Sequence, residues 1–217
     1  MTLLGHMLET ERADMQLAHL RMICQGLLFR IVQQSKHCKN RGFVVVLTSP
    51  TPGSGVSRIT NALADALNKN GPQYAISLDC RNLDCDRYGF TDPIDVNRWR
   101  DADSLWQSEV NGGGGGKDNW QGLQESLTGA LDNFRRKYPY VLIDCPSLRE
   151  TQDAVRLAPM ADGLILVVEA DRTQKDQIIY AEKTVESAKG KILGYVLNKR
   201  TYVIPDWLSR KMEAIGL

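Results

Sequence analysis

The chain has no apolar run long enough to cross a lipid bilayer. Its longest apolar stretches, residues 43–47 and 163–168, fall far short of the roughly 20 residues that a transmembrane helix needs. Residues 1–7 also lack the basic start and long apolar core of a signal peptide. We therefore expect a cytoplasmic protein without direct membrane insertion, whose recruitment to the inner membrane would require a partner.

An excess of charge of either sign is also missing. Lysine and arginine total 27 and aspartate and glutamate total 26, which gives a formal net charge of +1 at pH 7. Such a balance provides no broad electrostatic attraction for nucleic acid or for an anionic membrane. We expect neither as a direct partner.

The cysteines show no regular spacing. There are five of them, at positions 24, 38, 80, 85 and 145. An odd, irregular set argues against a disulfide framework and favours reduced thiols. Cys80 and Cys85 have no matching pair or histidine cluster to complete a zinc site, so ordinary thiols are the preferred interpretation.

Short apolar, β-branched runs alternate with helical patterns along most of the chain. Strands are predicted at 43–47, 74–78, 140–143, 163–168 and 191–197, and helices at 9–34, 57–68, 123–137, 153–157 and 174–188. This alternation predicts an α/β fold with a doubly wound, mostly parallel sheet and helices on both faces. We expect one domain over residues 1–217, with an N-terminal helical segment at 1–41.

Residues 84–122 form the least regular part of the pattern. They are polar and include five consecutive glycines at 112–116, which predicts an irregular segment with a flexible loop. A glycine-rich phosphate cradle is disfavoured here because no strand-to-helix context surrounds the run.

The first predicted strand leads into a loop with the frame of a phosphate-binding P-loop. The loop reads Pro52-Gly53-Ser54-Gly55-Val56-Ser57-Arg58. A working P-loop ends in Gly-Lys-Ser/Thr, where the lysine reaches the β- and γ-phosphates and the hydroxyl holds Mg²⁺. Val56 occupies the lysine position, so the frame predicts a nucleotide site without its main positive charge.

Polar residues follow three other predicted strands. In a doubly wound sheet, ligands bind beyond the carboxyl ends of the strands. We therefore expect Asp79, Asp144 and Asn198 to converge with the loop on one crevice. Residues 52–58 and Asn198 are the candidate nucleotide-binding set, Ser57 is the candidate metal ligand, and Asp79 and Asp144 are candidate vestigial catalytic residues.

At these positions the chain resembles the bacterial tyrosine kinases, P-loop proteins related to the MinD/ParA ATPases. Residues 49–57 resemble the family's Ser-x-x-Pro-Gly-Glu-Gly-Lys-Ser loop, residues 140–146 resemble its Walker B strand, and residues 161–168 and 193–198 resemble the two strands that follow. The resemblance covers roughly residues 43–208. It implies an asparagine near the adenine at Asn198, and work with membrane chain-length regulators, or co-polymerases, of capsule and exopolysaccharide export.

The departures from the family pattern concern its charged groups. Val56 replaces the lysine, which makes the Walker A loop degenerate, and Arg81 stands where the family's Asp-x-Asp has its second aspartate. The family's Glu-x-x-Arg-x-x-Arg oligomerisation motif, aligned at 15–21, retains Arg21 alone, and the family's terminal tyrosine cluster is missing. Phosphoryl transfer depends on positioning and charge stabilisation, so these changes predict a loss of catalysis.

Three functions remain open from the sequence. The preferred interpretation is a catalytically inactive, kinase-like partner or regulatory subunit in exopolysaccharide or capsule biosynthesis. The second is an active kinase or ATPase in which Arg58 or Arg81 replaces the lysine, and the third is a nucleotide-sensing switch without hydrolysis. ATP or ADP binding stays open because the backbone N–H groups of the loop remain, a Mg²⁺ requirement is not expected, and homo-oligomerisation stays open.

Overall fold

The computed structural model describes residues 22–36, 41–69, 75–80 and 117–200. Within these ranges the strands are β1 (Phe43–Thr48), β2 (Ala75–Asp79), β3 (Tyr140–Asp144), β4 (Gly163–Glu169) and β5 (Ile192–Asn198). The helices are α1 (22–35), α2 (Val56–Asn68), α3 (Lys117–Lys137), α4 (Asp153–Leu157) and α5 (Lys175–Ser187).

The five strands form one parallel sheet in the order β2-β3-β1-β4-β5. The predicted α/β class with a parallel sheet is therefore confirmed. From the central strand β1, the chain builds one half of the sheet through β2 and β3 and the other half through β4 and β5. The carboxyl end of β1 is thus the switch point at which such sheets bind ligands.

Apolar side chains of β1 fill the core on both faces of the sheet. Val44 and Val46 belong to the cluster that contains Phe134 of α3, whereas Val45 and Leu47 belong to the cluster that contains Ile59 of α2. These four side chains are fully buried, because successive residues of a strand point to opposite faces and both faces of β1 are covered. Helices α3, α4 and α5 cover the first face, and α1 and α2 cover the second.

The amino end of β1 is fixed by a carboxylate. The Asp162 side chain accepts hydrogen bonds from the Val44 N–H at 2.8 Å, from Arg41 at 2.6 Å and from Arg135 at 3.0 Å. The Asp162 N–H in turn donates to the Val44 carbonyl at 2.9 Å. These bonds hold β1 against the start of β4 at the edge opposite the predicted site.

Helix α3 begins at Lys117, six residues before the predicted start at Leu123. The prediction of irregular structure is therefore wrong for residues 117–122. Gly122 weakened the helical pattern, but a glycine costs a helix only about 1 kcal/mol relative to alanine. The glycine run at 112–116 lies outside the described residues, as do residues 1–21 and 201–217.

No helix in the ranges given above combines the length and the apolar character needed to cross a membrane.

Candidate functional site

The loop after β1 turns sharply at two glycines. Gly53 and Gly55 have φ angles of 80° and 87°, a conformation in which a side chain would be strained. The hydroxyls of Ser49 and Ser54 both donate to the Thr51 carbonyl, each at 2.8 Å. Hydrogen bonds from its own side chains to its backbone thus stabilise the loop, and α2 begins immediately after Gly55.

Val56 is the first residue of α2, and its side chain is 6% exposed. It belongs to the same apolar cluster as Ile59 and Leu63 of that helix. The next two residues, Ser57 and Arg58, are half-buried and exposed. Position 56, which the sequence aligns with the lysine of a working P-loop, is therefore part of the hydrophobic core.

Asn198 lies against the loop from the far edge of the sheet. Its Nδ2 donates a hydrogen bond to the Ser54 carbonyl at 2.9 Å. A Cβ atom on Gly55 would lie only 2.4 Å from this nitrogen, so a larger residue at position 55 would have to displace the Asn198 amide from its hydrogen bond. The predicted approach of Asn198 and the loop is present in the structure.

The two predicted aspartates lie side by side on the other half of the sheet. Asp79 and Asp144 are register partners at the ends of β2 and β3, and Asp144 is also the register partner of Leu47. The Cys145 N–H donates to the Leu47 carbonyl at 2.9 Å, and the Thr48 hydroxyl donates to the Pro146 carbonyl at 2.6 Å. Asp144 therefore ends next to the loop, with Asp79 one strand farther out.

Two cations near the loop were missed by sequence reasoning. The Lys199 Nζ donates to the Gly53 carbonyl at 2.6 Å and lies 3.2 Å from a Glu169 carboxylate oxygen. Arg172 pairs with the other Glu169 oxygen at 3.3 Å, and a Cβ atom on Gly53 would lie 3.7 Å from its guanidinium. Neither cation belongs to a recognised motif; the available signal was that Lys199 directly follows Asn198 at a strand end.

We call Glu169, Arg172 and Lys199 the β4–β5 charge cluster. Its formal charge is +1, and its two cations are largely in solvent, with Arg172 67% and Lys199 46% exposed. Exposed charges are screened by water and salt, so this cluster offers modest attraction for an anion at the loop. Of the two cations predicted to replace the lysine, Arg58 is exposed on α2 and Arg81 lies outside the described residues.

Two thiols meet just beyond the paired aspartates. The sulfurs of Cys80 and Cys145 are 3.2 Å apart, and Cys145 is fully buried. Burial raises the pKa of the Cys145 thiol well above its ordinary value, with a further increase from its contact with Cys80. Among the described side chains, no group of three or more histidine, cysteine, aspartate or glutamate residues is placed to hold a metal.

Part of the chain is similar in sequence to known proteins. No protein-family model matches the chain. It is 34% identical over 77 residues to the succinoglycan biosynthesis transport protein ExoP of Rhizobium meliloti, a match that covers 34% of this chain and 9% of ExoP. It is 30% identical over 69 residues to the tyrosine-protein kinase CpsD of Streptococcus agalactiae, covering 32% of this chain and 30% of CpsD. In both cases the match spans less than a third of the relative's length.

Solved structures cover more of the chain. The BceF tyrosine kinase domain is 25% identical with a TM-score of 0.56, over 82% of this chain and 75% of that one. This chain is related to the bacterial tyrosine kinases. The VpsO kinase domain has the same fold as this chain. It is 20% identical over 88% of this chain and 99% of that one, with a TM-score of 0.58. The cell division protein MinD of Aquifex aeolicus also has this fold and is 20% identical over 81% and 73% (TM-score 0.51).

Proposed function

We propose that this kinase relative is catalytically inactive and acts as a partner or regulatory subunit in bacterial exopolysaccharide or capsule biosynthesis and export. The observation that carries the proposal is Val56, which is 6% exposed in an apolar cluster at the position of the phosphate-binding lysine. In this proposal the Walker A loop is degenerate, and the protein is a pseudokinase.

The energetic argument concerns the charge on the transferred phosphoryl group. A lysine at this position makes a charge-assisted contact, which contributes about 1.5–3 kcal/mol to binding. Stabilisation of the charge that develops during transfer is worth about 3–4 kcal/mol, by comparison with the loss of one oxyanion-hole donor. Val56 supplies neither contribution, and the neighbouring Arg58 is exposed.

The polysaccharide context rests on the relatives. ExoP is described as a succinoglycan biosynthesis transport protein and CpsD as a tyrosine-protein kinase, and each match covers less than a third of the relative. We propose that this chain works in the cytoplasm and is recruited to the inner membrane by a chain-length or co-polymerase protein of a polysaccharide export system. Co-purification with such a protein from detergent-solubilised membranes tests the recruitment, and no enrichment over an unrelated membrane protein would contradict it.

The inactivity is tested by ATP turnover and tyrosine phosphorylation in the presence of Mg²⁺. The matched control is Asp144→Asn, which removes the charge of the Walker B-like aspartate while keeping its shape. We expect the natural protein and this variant to give the same background rate. Turnover or phosphotyrosine in the natural protein that Asp144→Asn abolishes would show an active enzyme and overturn the proposal.

A second candidate function is nucleotide sensing without hydrolysis. It is favoured by Lys199, whose Nζ lies 2.6 Å from the Gly53 carbonyl and which would place a cation beside a bound phosphate. The backbone N–H groups at the start of α2 would supply the remaining anion contacts.

Titration calorimetry with ATP and ADP, with and without Mg²⁺, tests this candidate. If nucleotide binds, Lys199→Met should weaken binding about tenfold, by the loss of one charge-assisted contact. Lys183→Met on the exposed side of α5 is the matched control and should leave binding unchanged. Absence of binding heat from the natural protein would remove this candidate.

A further inference from the structure

Cys80 and Cys145 directly follow two neighbouring strands of the sheet. Asp79 and Asp144 are the last register partners of β2 and β3, and the Cys80 N–H donates to the Asp144 carbonyl at 2.9 Å. The two cysteines therefore continue the parallel pairing by one residue. Their side chains point toward each other, since the sulfurs are 3.2 Å apart.

This placement suits a disulfide bond. Neighbouring strands lie about 4.8 Å apart, and disulfides join Cα atoms separated by about 4.4–6.8 Å. The sulfurs would have to close from 3.2 Å to about 2.0 Å. Rotation of the Cys80 side chain, which is only half-buried, can provide much of this movement without displacing the strands.

We propose that Cys80 and Cys145 form a redox-modification site that closes to an intramolecular disulfide when the protein meets a low-molecular-weight disulfide such as oxidised glutathione. The proposal is independent of catalysis and of nucleotide binding at the loop. It also concerns a pair that sequence spacing did not suggest, because 65 positions separate the two cysteines.

Exposure determines the order of the two steps. Cys80 is half-buried and Cys145 fully buried, so Cys80 meets the oxidant first. The Cys80 thiolate attacks one sulfur of oxidised glutathione, and one glutathione thiolate leaves. Cys145 then attacks the Cys80 sulfur, its proton passes to the departing sulfur, and the second glutathione leaves as a thiol; two protein thiols are oxidised and one small disulfide is reduced to two thiols.

The disulfide bond would join the ends of β2 and β3 beside the loop that follows β1. The Cys145 N–H already donates to the Leu47 carbonyl at 2.9 Å, so the covalent link would extend a hydrogen-bonded chain across three strands. Closing a loop of this length restricts the unfolded chain more than the folded one. Oxidation should therefore raise the thermal stability of the protein.

Peptide mapping of the full chain tests the pairing directly. The protein is incubated with oxidised glutathione, its remaining thiols are alkylated under denaturing conditions, and it is digested without reduction. We expect a linked peptide pair that contains Cys80 and Cys145 and is two hydrogens lighter than the reduced peptides. A Cys80–Cys85 disulfide, or Cys80 bound to glutathione with Cys145 alkylated, would overturn the proposal.

A thermal shift measurement gives an independent readout. Oxidation should raise the Tm of the natural protein by at least about 3 °C. This is the shift expected for a domain of this size when the folding equilibrium constant increases about tenfold. Cys80→Ala should abolish the shift. Because Cys80 is only half-buried, its replacement should disturb the fold less than replacement of the fully buried Cys145. Cys24→Ala, a buried cysteine on α1, should retain the shift; an equal shift in Cys80→Ala would overturn the proposal.

Discussion

The Asn198 side chain donates a hydrogen bond to the Ser54 carbonyl at 2.9 Å, which joins the last strand of the sheet to the loop that follows the first described strand. The bond spans 144 positions in sequence. It also places the Asn198 amide where a side chain on Gly55 would have to lie. The conformation of the loop therefore depends on a residue from the opposite end of the described chain.

Loss of this bond should weaken the protein. Asn198→Ala is expected to lower the free energy of unfolding by about 0.5–1.5 kcal/mol, the usual net contribution of one hydrogen bond. Urea denaturation measures the change, with Lys183→Ala on α5 as a surface control that should remain within about 0.5 kcal/mol of the natural protein. Equal stability of Asn198→Ala and the control would contradict the assignment.

Two glycine-to-alanine substitutions should change the free energy of unfolding in opposite directions. Gly55→Ala should destabilise by at least about 1–2 kcal/mol, because alanine is strained at a φ of 87° and its Cβ would lie 2.4 Å from Asn198 Nδ2. Gly129→Ala on α3, where nothing lies within 4 Å of the added Cβ, should stabilise by about 0.5–1 kcal/mol.

The double variant Gly55→Ala/Asn198→Ala separates the two costs at position 55. It removes the steric clash and leaves the backbone strain, so its loss of stability should be smaller than the sum of the two single losses. Simple additivity in urea denaturation would show that no clash exists between these residues.

Removing the Asp162 carboxylate should lower the stability of the protein more than removing its exposed partner Arg41. Asp162→Ala leaves Arg135, whose side chain is 11% exposed, with the longer, more exposed contact to the Asp132 carboxylate at 3.6 Å. The loss should be about 2–3 kcal/mol, below the cost of a fully unpaired buried charge. Arg41→Ala removes a partner that is 49% exposed and should cost at most about 1 kcal/mol. Denaturation of both variants checks the ranking, and equal losses would argue against it.

Tyr195 should make stability pH-dependent in the alkaline range. Desolvation and a 2.7 Å hydrogen bond to Glu182 raise the pKa of Tyr195 to about 12, whereas the unfolded value is about 10. Between these values the unfolded state has lost the proton and the folded state keeps it, so stability falls as the pH rises through that window.

The comparison for this prediction is Tyr195→Phe, which removes the titrating hydroxyl and keeps the ring. Denaturation curves recorded from neutral to alkaline pH should show a steeper loss above about pH 10 for the natural protein than for the variant. Parallel curves would mean that Tyr195 does not contribute to the alkaline loss.

The order and type of the secondary-structure elements followed from local patterns. Alternating apolar, β-branched runs such as residues 43–47 and helical periodicity in residues 57–68 correspond to β1 and α2. Element boundaries were less predictable, as α3 shows, because one glycine interrupts the pattern at a cost that a 21-residue helix tolerates. The expectation that Asn198 meets the loop followed from the rule that parallel strands align their carboxyl ends.

The sequence by itself determined the α/β class, the valine at position 56 and the set of polar residues at the strand ends, because these depend on residue identity and local periodicity. Only the tertiary structure decided that Lys199 contacts Gly53 and that Cys80 faces Cys145. Both contacts depend on the strand order β2-β3-β1-β4-β5. That order results from packing the described helices and strands around β1, which places segments distant in sequence next to each other; their positions at strand ends gave no indication of which of them would be neighbours.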